Sequence, residues 1–219
     1  MDIQREESNK ISNGGRDTAA TFDFFNPFAE MDIRQGRLPH WEQGNVWYFI
    51  TFRLADSLPE GVVEKIRHER QQWLKQHDPD NLTSEEKIEY YTLFSKRVED
   101  LLNAGHGSCI LKDPPIAQIV ENALLHFNSG GAPVAEKESR YTLDEYVIIP
   151  NHVHLLVKPL GDHSLPQILH TWKSFTAAEI KKALGKQGHI WQKESYDHIV
   201  RNQESFLAFR TYIRNNPRK

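Results

Sequence analysis

The eight residues Pro150-Asn151-His152-Val153-His154-Leu155-Leu156-Val157 constrain the fold of this chain more than any other segment. Tyr141 to Ile149 and His152 to Lys158 both read as β-strands, joined at Pro150-Asn151, which is a turn signal. Side chains two residues apart on a strand share a face. His152 and His154 therefore project together, while Val153, Leu155 and Val157 project to the opposite side and can pack a core. Two imidazoles on one face of a rigid strand form a chelating pair for a divalent cation. The same pair also fits a plain solvated strand face, so the pattern needs a second element to give it chemical meaning.

That element lies near the C-terminus. Phe206, Phe209 and Ile213 recur at three- and four-residue spacing and make the apolar face of a helix. Tyr212 and Asn216 are four apart, so they sit one above the other at the edge of that face. Pro217 disfavours the α conformation at Asn216 and ends the helix there. A hydroxyl one turn from an amide oxygen can act as a nucleophile beside a third metal ligand. A half-buried tyrosine and a simple helix stop account for the same letters.

The rest of the chain supplies the frame. Residues 1–21 are polar, include Asn13-Gly14-Gly15 and are expected to be disordered, which leaves one domain over 22–219. Val46 to Leu54 alternates aromatic and β-branched residues and reads as the first strand. A helix over Pro59 to His77 and another from the capping pattern at Thr83 to Glu86 as far as Gly105 make a helical-hairpin insertion. Asp113-Pro114 opens a helix to about Phe127, and Ser129 to Ser139 reads as a loop. Ser164 with Gln167 opens a further helix, closed at Gly185, and a short strand covers Asp197 to Arg201. Without the insertion, the order is strand, helix, strand, strand, helix, strand, helix. This is an α+β, ferredoxin-like antiparallel sheet followed by a C-terminal helix that carries Tyr212.

Composition narrows the classes. The chain of 219 residues is long enough for a real core, and no apolar run approaches the roughly 18 residues that span a bilayer. With no charged-then-apolar leader and a single cysteine, Cys109, read as structural, a cytoplasmic, reducing location without membrane attachment is expected. The net charge of −3 conceals an asymmetry: from Asn151 onward 11 Lys/Arg face 5 Asp/Glu, whereas residues 1–150 hold 16 against 25. The half with the histidine pair is the basic half, and phosphate binding needs local positive surface, not a basic whole protein.

Taken together, these segments resemble the HUH single-strand DNA nucleases with one catalytic tyrosine, and among them the REP-associated tyrosine transposases. The resemblance rests on Tyr146–Val157 (YVIIPNHVHLLV), Ile168–Ala177 (ILHTWKSFTA), Ile190–Arg201 (IWQKESYDHIVR) and Tyr212–Pro217 (YIRNNP). Leu38–Trp41 (LPHW), Tyr48–Ser57 (YFITFRLADS) and Gly107–Pro114 (GSCILKDP) extend it over nearly all the chain beyond about residue 22. It implies the HUH nuclease fold and a metal-dependent strand transferase of DNA transposition. Tyr212 would be the nucleophile, and His152, His154 and Asn216 would hold Mg²⁺ or Mn²⁺. The partner would be single-stranded or hairpin DNA, and the REP-associated branch implies a monomer over a homodimer. Tyr196 is the rival nucleophile, but position 200, four residues on, is Val200. Lys173, Trp172, Arg214 and Lys158 are the expected DNA contacts, with core packing an equal reading for Trp172. His170 and His198 read as packing or phosphate-contact histidines and Trp191 as core. Two other activities fit the same letters: a hairpin-binding protein that does not cut, and a phosphodiesterase that uses water.

Overall fold

The computed structural model describes residues 23–29, 32–35, 39–59, 61–78, 81–128 and 139–216. The expected disorder of residues 1–21 and most of the expected loop between Ser129 and Ser139 lie outside them. A short antiparallel pair, β1 (Asp32–Gln35) and β2 (Pro39–Glu42), precedes the main sheet. The sheet itself is built from β3 (Tyr48–Arg53), β4 (Tyr141–Ile149), β5 (His152–Pro159) and β6 (Tyr196–Ile199) in the spatial order β4-β5-β3-β6, antiparallel throughout. That order, with β5 between two strands that are parallel to each other, is the ferredoxin-like topology.

Two helices cover one face. α4 (Pro114–His126) begins with Pro114 in its first turn, and α5 (Leu165–Leu184) carries a full Ser164–Gln167 capping box and closes on Gly185 in the left-handed region. Their buried residues Ile116, Val120, Leu124, Leu165, Ile168 and Trp172 meet Tyr48, Ile50, Phe52, Val153, Leu155 and Val157 of the sheet. α6 (Gln203–Asn215), capped by the Asn202 side chain, lies on the other face, where Phe206 and Ile213 meet Phe49, Val147, Ile149 and Leu156. Strand β5 is thus covered on both sides, which explains its almost unbroken apolar sequence. Its two histidines and Lys158 are the polar exceptions.

The insertion is a helical hairpin with its own small core. α1 (Val62–Gln76) packs Ile66 and Trp73 against Phe94. The return limb is α2 (Ser84–Tyr90), a π-helical stretch Tyr91–Lys96, and α3 (Arg97–Asn103). The expected capping box is present at its start: Glu86 N–H donates to Thr83 Oγ1 at 3.2 Å and Thr83 N–H to Glu86 Oε2 at 2.7 Å. Arg97 reaches Glu69 of α1 at 2.6 Å. The limb ends at Gly105, and the loop beyond it returns to the sheet at a close approach. A Cβ on Gly107 would meet the Asp56 carbonyl oxygen at 2.4 Å, so only glycine fits there.

Candidate active site

The antiparallel register sets the site. His152 pairs with Arg53 and His154 with Thr51 across β5 and β3, and Thr51 pairs with Tyr196 across β3 and β6. Thr51, Arg53, His152 and His154 therefore share the face that α6 partly covers. His152 is fully buried and His154 is 3 % exposed. Their Nε2 atoms face each other at 3.0 Å.

Each outer nitrogen has a holder. His152 Nδ1 lies 2.7 Å from Asn151 Oδ1, and the Asn151 amide donates to the carbonyls of Leu102 and His106, each at 3.1 Å. Those two donations orient the amide with Oδ1 toward the ring. A carbonyl oxygen only accepts, so His152 Nδ1 carries the proton and Nε2 keeps its lone pair. His154 Nδ1 lies 2.7 Å from Thr51 Oγ1. A hydroxyl donates or accepts, so Thr51 supports either tautomer of His154.

Burial keeps both rings neutral. Desolvation lowers His152 to about 4. It holds His154 well below the ordinary histidine range, with His152 adding to the effect. Neutral imidazole is the ligating form. Two donors at right angles around a cation with bonds of about 2.1 Å stand about 3.0 Å apart, so the observed spacing fits a shared ion. Among the described residues no group of three or more His, Cys, Asp or Glu is placed to hold a metal. A third protein donor would have to be of another kind, and an amide oxygen qualifies.

Helix α6 delivers the tyrosine. Tyr212 Oη lies 3.3 Å from His154 Nε2. Phe49 fixes this approach: its ring stacks on Phe209 at 4.5 Å and on His154 at 5.5 Å, and meets Tyr212 edge-on at 5.8 Å. The helix is tied to β4 by Arg210 with Asp144 at 3.1 Å and by Arg214 Nε donating to Glu145 at 2.7 Å. Asn216 ends the helix in an extended conformation and lines a cavity of about 490 Å³ with Asn151, Pro150, Lys112 and Cys109.

The expected DNA contacts fare differently. Trp172 is a correction: it is 2 % exposed, its Nε1–H donates to Tyr141 Oη at 2.9 Å, and it lies in the core on the side away from the histidines. No base can stack on it. Trp191 is in the same core, as expected. Arg214 is engaged with Glu145, and Lys158 with Asp23 at 2.7 Å. Lys158 shares the histidine face, but four residues along β5 separate it from His154, about 13 Å. Lys173 is half-buried and donates to the Lys193 carbonyl at 3.0 Å and to Ser195 Oγ at 2.9 Å. His198 packs against Phe209 at 5.5 Å. Tyr196 is 44 % exposed on β6.

Sequence reasoning missed Asn151, Thr51, Phe49 and Arg53. Asn151 read only as a turn residue, although it immediately precedes His152. The other three needed the β3–β5 register.

Comparison with known proteins places this geometry in context. Residues 132–216 match the family model described as "Transposase IS200 like". An uncharacterized protein of Haemophilus influenzae is 31 % identical over 97 residues, a match that covers 34 % of this chain and 53 % of that protein. The chain thus spans about half the length of this curated relative. A REP-associated tyrosine transposase solved bound to a REP hairpin overlaps with a TM-score of 0.39 at 14 % identity, over 84 % of this chain and 73 % of that one. A candidate transposase from Deinococcus radiodurans overlaps with a TM-score of 0.32 at 15 % identity, over 85 % and 99 %. The matched segment holds β4, β5, α5, β6 and α6, with both histidines and Tyr212, and over it the chain is similar to the IS200-like transposases.

Proposed function

We propose that this chain is a metal-dependent single-stranded DNA endonuclease and strand transferase. It acts on hairpin-forming repeats through a covalent 5′-phosphotyrosine intermediate, in the manner of the REP-associated tyrosine transposases. The observation that carries the reading is the position of Tyr212 Oη, 3.3 Å from His154 Nε2, which itself lies 3.0 Å from His152 Nε2. A nucleophile and a neutral chelating pair thus meet at one point. The reading places the protein in the cytoplasm as a monomer.

A tyrosine hydroxyl has an ordinary pKa of about 10 and is a weak nucleophile at neutral pH. Mg²⁺ or Mn²⁺ held by His152, His154 and the Asn216 amide oxygen would polarise the scissile phosphate and neutralise its developing charge. The residues of the chain do the rest. Phe49 and Phe209 hold the Tyr212 ring over the pair, and Asn151 keeps the His152 lone pair directed inward. Tyr212 Oη forms the bond to phosphorus while the bond from phosphorus to the 3′ oxygen breaks. The phenolic proton passes through solvent to the departing oxygen, leaving a free 3′-OH. The new ester keeps the phosphodiester energy, so rejoining to another 3′-OH needs no nucleotide cofactor.

The test is a 5′- and 3′-labelled oligonucleotide carrying a hairpin and a single-stranded flank, incubated with Mn²⁺ and resolved under denaturing conditions. A covalent protein–DNA adduct is expected, absent for Tyr212→Phe and retained for Tyr196→Phe. An adduct lost in Tyr196→Phe and kept in Tyr212→Phe would move the nucleophile to β6. Cleavage without adduct would make the enzyme a water-using phosphodiesterase, and tight binding without cleavage would make it a hairpin-binding protein.

A further inference from the structure

Two cations, Arg53 across from His152 and Lys173 reaching in from α5, are left without a task by the proposed reaction. Arg53 is the last residue of β3, directly across from His152, and alternation along the strand puts it on the same face as Thr51 and the histidines. It is half-buried, and its guanidinium donates to the hydroxyl of the fully buried Ser57 at 3.0 Å. Lys173 comes from α5 on the far side of the segment before β6. That segment is stitched to both. Gln192 N–H donates to the Arg53 carbonyl at 2.9 Å, Ala55 N–H to the Ile190 carbonyl at 2.8 Å, and Leu54 bridges to Trp191. Lys173 Nζ then holds Lys193 O and Ser195 Oγ. The two side chains thus flank one segment, Arg53 donating to a hydroxyl and Lys173 to a carbonyl and a hydroxyl, and the charge of Arg53 is felt by Lys173. Glu194, between the two residues that Lys173 holds, is the acidic group Lys173 feels, and its pull is smaller than the effects of burial and of Arg53.

Two half-desolvated like charges repel, and folding alone gives no reason to collect them. Their effect on each other is visible: Lys173 is lowered to about 8, first by burial and then by Arg53, against a smaller opposing pull from Glu194. The guanidinium of Arg53 is lowered by burial as well. An anion between them would supply the missing compensation. A guanidinium fork and an ammonium suit phosphate oxygens, and the Ser57 and Ser195 hydroxyls can turn to donate to the same group.

Resting on the strand-transferase reading above, we propose that Arg53 and Lys173 seat a second backbone phosphate of the single-stranded DNA, next to the phosphate that meets Tyr212. Antiparallel partners stand about 5 Å apart at Cα, so the backbone of Arg53 runs directly beside that of His152. It reads charge and spacing, not base identity. Its effect is to hold the strand on the β6 side of the sheet, so that the scissile linkage lies across the histidines.

The experiment uses the full chain with Tyr212→Phe, so that binding is measured without cleavage. Affinity for a fluorescent hairpin with a single-stranded flank is followed by anisotropy across a range of salt. Arg53→Gln and Lys173→Met, read separately, are each expected to weaken binding several-fold and to lower the salt slope by about 0.7. Melting temperatures identify the folded variants, and either variant alone is sufficient to decide. A single neutral methylphosphonate beside the scissile linkage should cost affinity with Arg53 present and nothing further in Arg53→Gln. An unchanged salt slope in a folded variant overturns the seat, as does a methylphosphonate effect that simply adds to that of Arg53→Gln. The two readings fail separately. A normal slope in Arg53→Gln, with adduct formation intact in the Tyr212-containing chain, sinks the seat alone. A lowered slope in a protein that never forms an adduct sinks the strand-transferase reading alone.

Discussion

Replacing Asn151 by alanine should loosen two parts of the molecule at once. The Asn151 side chain is fully buried and makes three hydrogen bonds, at 3.1 Å to Leu102 O, 3.1 Å to His106 O and 2.7 Å with His152 Nδ1. A hydrogen bond contributes about 1 kcal/mol net, and a stranded buried group costs about 1–3 kcal/mol more. Leu102 O keeps a second donor in the backbone N–H of Gly105, so the stranded group that matters most is the His152 Nδ1–H. The expected loss is about 3 kcal/mol. For a chain of this size, that lowers the melting temperature by about 6–12 °C. With Oδ1 gone, His152 can also take the wrong tautomer. Loss of such an outer partner typically lowers metal affinity about 10- to 100-fold. Differential scanning fluorimetry and a Mn²⁺ titration measure the two effects on one preparation. A melting temperature within 2 °C of wild type, together with Mn²⁺ affinity within about twofold, would refute both the energetics and the assigned tautomer.

Other outcomes follow from the same geometry. Excess EDTA, or His154→Ala, should abolish cleavage while leaving hairpin binding largely intact, because phosphate contacts supply most of the affinity; full activity in EDTA would exclude a metal role. DNA affinity should also fall as pH rises above about 8. Lys173 is lowered to about 8, so half of its positive charge is lost there, with most of it present well below that value and little well above it, and with Arg53, Lys193 and Glu194 as its charged surroundings. Anisotropy between pH 7 and 9.5 checks this, and Lys173→Arg should flatten the profile. Trp172→Ala should cost about 3–5 kcal/mol in thermal or urea unfolding and leave the DNA affinity of the folded protein unchanged, since the ring lies in the core.

Much of the frame could be read from residue pattern alone. The two strands around Pro150-Asn151, the capping boxes at Thr83 and Ser164, and the close of α5 at Gly185 are local signals, and local chemistry satisfies them. The face of the histidine pair followed from strand alternation. Trp172 did not follow, because an aromatic residue at helical spacing fits a core and a base platform equally until the helix is docked. Arg53 and Thr51 gain meaning only when β3 is laid against β5, a pairing between residues about a hundred positions apart. The pairing of Arg214 with Glu145 was hidden for the same reason, since α6 and β4 meet only in the folded chain.

The hold of Asn151 on Leu102 and His106 bears on how chains with this histidine pair can diversify. The segment that matches the family, residues 132–216, contains every atom of the two imidazoles and of the tyrosine. It also contains Asn151, but not the groups that hold Asn151 and the outer nitrogen of His154. Those are Thr51 in the first strand of the main sheet and two carbonyls at the end of the helical insertion. A chemical signature can therefore be inherited intact while its calibration is rewritten elsewhere. A relative that lacks the insertion has to find another acceptor for the equivalent amide, or let the ring turn. Shared motifs across such lineages will predict which atoms react more reliably than which metal is preferred or how tightly it is held.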